Sequence, residues 1–343
     1  MGTIPHVSNW VDGSHTTPIA SRIEVVNPAT EAVIATVDAT PVEVVQDVVL
    51  KSWASFTHGL WPKAGPSERY RILTKAATLL RDRIPEFVQL ETQQTGRPIR
   101  ELQTQLARVP EWLEYFASLA RSSEGVVALI TPYNHPLLIA TKKIGAALAA
   151  GNVVIVKPSE LAPLSVLRIG ELFKEAGLPD GSLQIISGYG RETGAKVLCG
   201  GKRSSVAGRG YFYEPTLIET DAESELACNE VFGPVIAIVR CASEDDIIRI
   251  ANSTEYALGA SVWTNDFTQA HRVASKIDSG VVWINGHHLN DPSSPWGGFK
   301  DSGIGKENGW EAYESYTKVK STIINYGVAQ NWFDQGVESA RYG

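Results

Sequence analysis

The spacing of apolar residues changes rhythm along the chain. Residues 23–36 hold two short β-rich runs around Asn27-Pro28-Ala29-Thr30, which predicts a hairpin turn. From Pro41 to about residue 121 the spacing is helical. Val44, Val45, Val48 and Val49 make one stripe; Ile72, Leu73, Ala76, Leu79 and Leu80 make another. Pro66-Ser67-Glu68 suits a helix's first turn, and Gly96-Arg97-Pro98 breaks the run. A further helix over residues 101–120 is expected to kink at Pro110.

A different pattern follows. Residues 126–130 read as a buried strand, 137–150 as a helix, 153–156 as a strand, 164–176 as a helix and 183–186 as a third strand. Strands separated by helices of about 10–15 residues predict βαβ units and a parallel sheet. Turn chemistry follows each strand's carboxyl end, where open α/β sheets bind ligands. Beyond Gly194 a second α/β block is expected. Its strands lie at 212–217, 235–239, 260–263 and 281–284, with helices over 243–252 and 266–276. The glycine-rich run 295–305 follows, and 315–326 reads as a final strand before a polar tail.

Composition narrows the class. Of the 343 residues, 43% are apolar and 20% charged, which excludes a disordered or fibrous chain and suits about two domains. The net charge of −7 carries no basic stripe, so nucleic acid is not an expected partner. No apolar run reaches the ~18 residues of a membrane span, and the first residues lack a secretory pattern. A cytoplasmic location is expected. Cys199, Cys228 and Cys241 match no zinc spacing and are too few for a disulfide framework, so no metal is expected.

Six short motifs then stand in a telling order: Asn27-Pro28-Ala29-Thr30; Thr131-Pro132-Tyr133-Asn134-His135-Pro136; Val156-Lys157-Pro158-Ser159-Glu160; Gly188-Tyr189-Gly190; Glu230-Val231-Phe232-Gly233-Pro234; and Pro295-Trp296-Gly297-Gly298-Phe299-Lys300-Asp301-Ser302-Gly303. Each is weak alone, and the ordered set is specific. On these motifs the chain resembles the NAD(P)-dependent aldehyde dehydrogenase superfamily over nearly its whole length. The resemblance implies an α/β fold: a partial doubly wound (Rossmann-like) parallel sheet, then a second, reduced α/β domain. The expected division is 1–194 for the N-terminal helices and partial dinucleotide-binding domain, 195–314 for a remnant catalytic domain, and 315–343 for a C-terminal strand and tail through which copies could form a homo-oligomer.

The resemblance also implies roles. Asn134 would be the oxyanion donor to an aldehyde; taken alone it would as readily satisfy turn backbone between Pro132 and Pro136. Lys157 and Glu160 would hold the adenosine ribose, with the carboxylate disfavouring a 2′-phosphate, so NAD rather than NADP is the implied cofactor. Gly190 would let backbone approach the dinucleotide. Glu230 and Phe232 would meet the nicotinamide ribose and ring.

The chemistry of the resembled family needs more. A cysteine thiolate in a Gly-Gln-x-Cys loop attacks the aldehyde, hydride leaves to NAD, and a glutamate in Glu-Leu-Gly-Gly activates water against the thioester. Neither motif occurs here, and the phosphate-binding Gly-Ser-Thr segment is missing too. The gap falls at about Gly194-Ala195, and a smaller one near Ser122-Ser123-Glu124-Gly125, where the family inserts a β-hairpin. Cys199 has cations nearby at Lys202 and Arg203, but its motif position is a strand end. Cys228 stands beside the acidic Glu230, and Cys241 sits in an expected strand. Two readings follow: an aldehyde dehydrogenase by descent in shortened form, or a non-catalytic pseudoenzyme that keeps partial nucleotide or partner binding. A shortened enzyme with different chemistry is a third.

Overall fold

The computed structural model describes residues 4–120, 125–189, 210–212, 215–318, 320–322 and 324. Short strands open the chain: β1 (His6–Val7), β2 (Trp10–Val11) and β3 (Ser14–His15). The expected hairpin follows as β4 (Arg22–Val26) and β5 (Val33–Asp38), paired antiparallel. Its turn is held by Asn27, whose Oδ1 accepts the Ala29 N–H at 2.9 Å while its carbonyl accepts those of Thr30 and Glu31.

Helices α1 (Val42–His58) and α2 (Pro66–Thr95) come next, and α2 stops where Gly96 turns left-handed at φ 74°. Along α1 the expected stripe is only partly buried: Val48 is enclosed, whereas Val49 lies outside at 47% exposure. The helix expected over 101–120 is two helices, α3 (Ile99–Leu106) and α4 (Pro110–Ser118), with Pro110 opening the second instead of kinking one. Proline lacks the N–H an interior turn needs, and a first helical turn needs none.

The βαβ units form as read: β6 (Val126–Ile130), α5 (Pro136–Ala149), β7 (Val153–Lys157), α6 (Leu164–Ala176) and β8 (Leu183–Ile185). β7 is central and buried, as its unbroken Val-Val-Ile-Val run requires. The sheet order is β3-β2-β8-β7-β6, with β6, β7 and β8 parallel and β2 antiparallel on β8. Val11, Val48, Ile155 and Ile186 pack on the α1 side, and the larger core lies among α2, α4, α5 and α6. A doubly wound sheet runs 3-2-1-4-5-6, and its ligand crevice lies where strand 1 meets strand 4. Here β6 stands in the place of strand 1 and is an edge among the described residues, with Ile130 78% exposed. The described residues therefore supply the 3-2-1 half, with β6 at the crevice.

Buried polar groups of α2 fix the loops after β6 and β7. Glu91 Oε1 accepts the Leu137 N–H at 2.9 Å and the Ser165 hydroxyl at 2.7 Å; Gln94 Oε1 accepts the Leu164 N–H at 2.9 Å. The first turns of α5 and α6 are thus pinned to one helix. Burial, opposed by these bonds, raises the Glu91 pKa from 4.5. A carboxyl raised by folding contributes stability below its unfolded pKa and loses it as pH rises towards the folded value. Urea titrations from pH 4 upwards should show falling stability for the wild type and a flatter profile for Glu91→Gln. Glu91→Ala, which strands both donors, should cost about 1–3 kcal/mol.

Among the described residues the second block does not form one sheet. β9 (Thr216–Glu219) precedes α7 (Glu225–Cys228), and β10 (Val235–Ile238) pairs with β9 alone. Then come α8 (Glu244–Ala251), β11 (Tyr256–Ala257), β12 (Gly259–Val262), α9 (Phe267–Ala274), β13 (Val281–Ile284) and β14 (Phe299–Lys300), with β12 paired to β13 and β11 to β14. Ser243 and Asp266 cap α8 and α9, accepting the N–H groups of Asp246 and Gln269. The strand read over 315–326 is not present among the described residues. α10 (Gly309–Glu314) ends in a turn at Ser315 and Tyr316, and the residues described after it carry no ladder. Positions 319, 323, 325 and 326 of that span lie outside the described residues.

The late chain packs back on the first block. Trp112 Nε1 donates to Oδ1 of the fully buried Asn308 at 2.9 Å, Arg108 Nη1 to the Asn290 carbonyl at 2.8 Å, and Asn152 Nδ2 to the Tyr316 carbonyl at 2.9 Å.

Candidate functional site

A cavity of about 420 Å³ opens where α5 meets the glycine-rich loop. Asn134 enters it from the turn between β6 and α5. Its Oδ1 accepts the His135 N–H at 3.0 Å, and among the described residues Nδ2 has no acceptor. The side chain is oriented with its donor unspent. Close packing makes the opposite wall: a Cβ on Gly297 would fall 2.2 Å from the Gly305 carbonyl oxygen, so only glycine fits. Lys306 Nζ donates to the carbonyls of Gly297 and Gly298 at 3.1 and 3.3 Å, closing the loop on itself.

His135 stacks on His288, ring centroids 6.4 Å apart, and its Nδ1 bonds Gln105 Oε1 at 3.0 Å. Burial, with the Arg97 guanidinium assisting, pulls the His135 pKa down to about 4. Burial also lowers His288. Lys142 and Lys143 stand on α5 at the cavity. Lys143 pairs with Glu307 at 2.9 Å, while Lys142 lies over Trp112 and Trp296, 4.9 and 5.5 Å from the ring centroids. Burial brings the Lys142 pKa down to about 8.

The other expected residues fall on the same edge or beside it. Lys157 ends β7 opposite Ile130, its carbonyl accepts the Thr131 N–H at 3.1 Å, and its Nζ pairs with Glu160 at 2.9 Å. Phe232 meets Tyr133, the neighbour of Asn134, edge to face at 5.9 Å. Glu230 lines a separate hollow of about 300 Å³ that shares Leu258 and Ser302 with the main cavity. Gly190 and Cys199 lie outside the described residues. Cys228 and Cys241 line neither the main cavity nor the Glu230 hollow; the Cys228 thiol donates to the Ala222 carbonyl at 3.3 Å.

Sequence reasoning overlooked Lys142, Lys143 and Glu307, and read His288 as a solvated or structural loop histidine, whereas it lines the cavity. One signal was available: Lys142-Lys143 are the only charged residues in an otherwise apolar, small-residue helix that is buried on almost every face. A cation in such a helix needs a special partner or a cavity. Among the described residues no three His, Cys, Asp or Glu side chains gather to hold a metal, and no helix is long and apolar enough to cross a membrane.

A model of the aldehyde dehydrogenase family matches residues 15–195 and 189–322. A phenylacetaldehyde dehydrogenase of Pseudomonas fluorescens is 27% identical over 466 aligned positions, spanning 89% of this chain and 93% of the relative. Since the chain has 343 residues, at least 123 of those positions have no counterpart in it. An NAD-dependent aldehyde dehydrogenase from Sinorhizobium meliloti superposes with a TM-score of 0.89 at 22% identity, covering 96% of this chain and 97% of that one. The NAD+ complex of an aldehyde dehydrogenase from Bacillus cereus gives 0.87 at 25% identity, with coverage of 94% and 97%.

Proposed function

Because the chain belongs to the aldehyde dehydrogenase family, we propose that the Asn134 cavity receives an aldehyde and the Lys157–Glu160 edge receives the adenosine end of NAD, in a chain that does not complete the oxidation. The observation that carries this reading is Asn134 itself, an amide oriented by its neighbour's N–H with the donor left towards the cavity. Such a preorganised donor stabilises charge developing on a carbonyl oxygen. The division into 1–194, 195–314 and 315–343 belongs to the same reading.

The cofactor fits in part. Glu160 and Lys157 sit at the carboxyl end of β7, about a quarter to a third exposed, where a carboxylate can accept ribose hydroxyls and an ammonium can donate. Phe232 beside Tyr133 offers an aromatic face near Asn134. Among the described residues, the far side of the crevice, which strands 4–6 supply in a complete fold, has no counterpart on the edge of β6. NAD, when bound, supplies the hydride acceptor; the chain's own groups orient and hold. Calorimetry should therefore find NAD binding only in the millimolar range, weakened further by Glu160→Ala. Micromolar binding that Glu160→Ala abolishes would mean a far more complete site.

The surplus of aligned positions over residues favours a second reading, that this chain is an internally shortened form of a longer active enzyme. A native product carrying a Gly-Gln-x-Cys loop, seen by intact mass, would establish it.

A further inference from the structure

We propose that the cavity selects aldehydes that carry a carboxylate, and that Lys142 is the residue that receives it. The proposal rests on the aldehyde reading of the Asn134 cavity and adds the substrate class.

Lys142 is 2% exposed and forms no hydrogen bond or ion pair with the described residues. Two indoles, Trp112 and Trp296, cradle its ammonium. They ease the burial of charge without neutralising it, since a ring face offers only a quadrupole. Buried ammonium groups are normally paired.

The surroundings supply too little negative charge. Among the described residues Glu307 is the one carboxylate lining the cavity, and Lys143 already occupies it at 2.9 Å, so one anion faces two cations of α5; Glu101, which acts on His135 and His288, is itself paired with Arg97. Lys306 adds a third cation on the loop, spent on the carbonyls of Gly297 and Gly298. Arg108 stands over Trp112, 5.9 Å from its ring centroid, and its charge is answered by Glu111 at 2.9 Å, so it neither adds to nor relieves the excess at Lys142. His135 and His288 are held neutral by burial and add nothing negative. The cavity lining thus carries an uncompensated cation at Lys142 and an amide donor at Asn134. A short aldehyde with an acid at its other end can answer both, with its chain against Leu138 and Ile139.

Lys142 remains mostly charged at neutral pH, and a bound carboxylate would hold the proton more firmly. The anion's contribution is present below the lysine's pKa and disappears as pH rises through it.

Calorimetric titration of the full chain with 5-oxopentanoate, pentanal and glutarate tests the proposal. At pH 7 the carboxylated aldehyde should bind about tenfold or more tighter than pentanal, as a charge-assisted hydrogen bond predicts. Lys142→Gln should bring the two Kd values together. Lys142→Arg should restore the margin and keep it at pH 9.5, where the wild type loses it. Equal affinities in the wild type, or a margin that survives Lys142→Gln, would overturn the assignment. Binding of glutarate with none of pentanal would uphold the carboxylate subsite and overturn the aldehyde reading on which it was placed.

Discussion

Followed at 340 nm over a panel of aliphatic and aromatic aldehydes, the 343-residue chain should form no NADH above a protein-free control. An aldehyde has no hydride to give until its carbon becomes tetrahedral, and the adduct requires a nucleophile. Loss of a covalent nucleophile costs about 10⁶ in kcat where it has been measured in a hydrolase, leaving only what binding and the oxyanion donor supply. Of the described cysteines, Cys241 is exposed and Cys228 turns to the Ala222 carbonyl; neither reaches Asn134's cavity. A hydrated aldehyde could in principle lose hydride if a base took its proton. His135 is the imidazole beside Asn134, but with its pKa brought down to about 4 it is a weak base at neutral pH. Turnover that vanishes in Cys199→Ala would make that residue a nucleophile. Turnover that survives removal of all three cysteines would require a mechanism without a thiol adduct.

Phe116→Ala should lower unfolding stability by about 3–5 kcal/mol, close to the largest effect a single truncation produces. Phe116 is fully buried on α4, packed edge to face on Tyr115 at 5.2 Å. The helix opposite approaches so closely that a Cβ on Gly145 would lie 3.5 Å from the Phe116 ring and 3.1 Å from Leu113. A site bounded this tightly cannot collapse to fill the void. Ile236→Ala, on the two-stranded β9–β10 sheet, should change stability by less than about 0.5 kcal/mol, because Ile236 is already 61% exposed. Denaturant titration of the two variants side by side tests whether stability is concentrated in the first block. Equal losses would mean that the small sheets of the second block are held far more firmly than their burial indicates.

Much of the fold was legible because its elements obey local rules. β7 is a continuous apolar run bounded by Gly151-Asn152 and Pro158, and α8 and α9 carry their own caps, so sequence spacing and structure coincide closely there. Pro110 misled because a proline preceded by helical spacing is compatible with a bend or a restart, and only the neighbouring helices decide. The strand expected over 315–326 lies in part outside the described residues, and a ladder needs a partner as well as the tendency that Val- and Ile-rich spacing records. At the site, Asn134, Lys157 and Glu160 stand in short motifs at strand ends, and it is the family resemblance of those motifs, not turn chemistry by itself, that singled them out. Lys142 was not legible, since its meaning comes from Trp296, 154 positions later, and from a carboxylate on the same loop that is already taken.

The bonds from Trp112, Arg108 and Asn152 to Asn308, Asn290 and Tyr316 join parts of the chain that are 164 to 196 positions apart, and none depends on what lies between. Once two faces recognise each other directly, the covalent path linking them acts as a tether, and halving or doubling a tether changes its closure free energy by only about 0.6 kcal/mol. More than a hundred positions can therefore be gained or lost within the tether while the docking of the late chain on α4 and α5 keeps its geometry. Length is a nearly neutral variable at that point in the chain. The cavity, built across the docked faces, depends on the contact itself and not on the length of chain that joins its two sides.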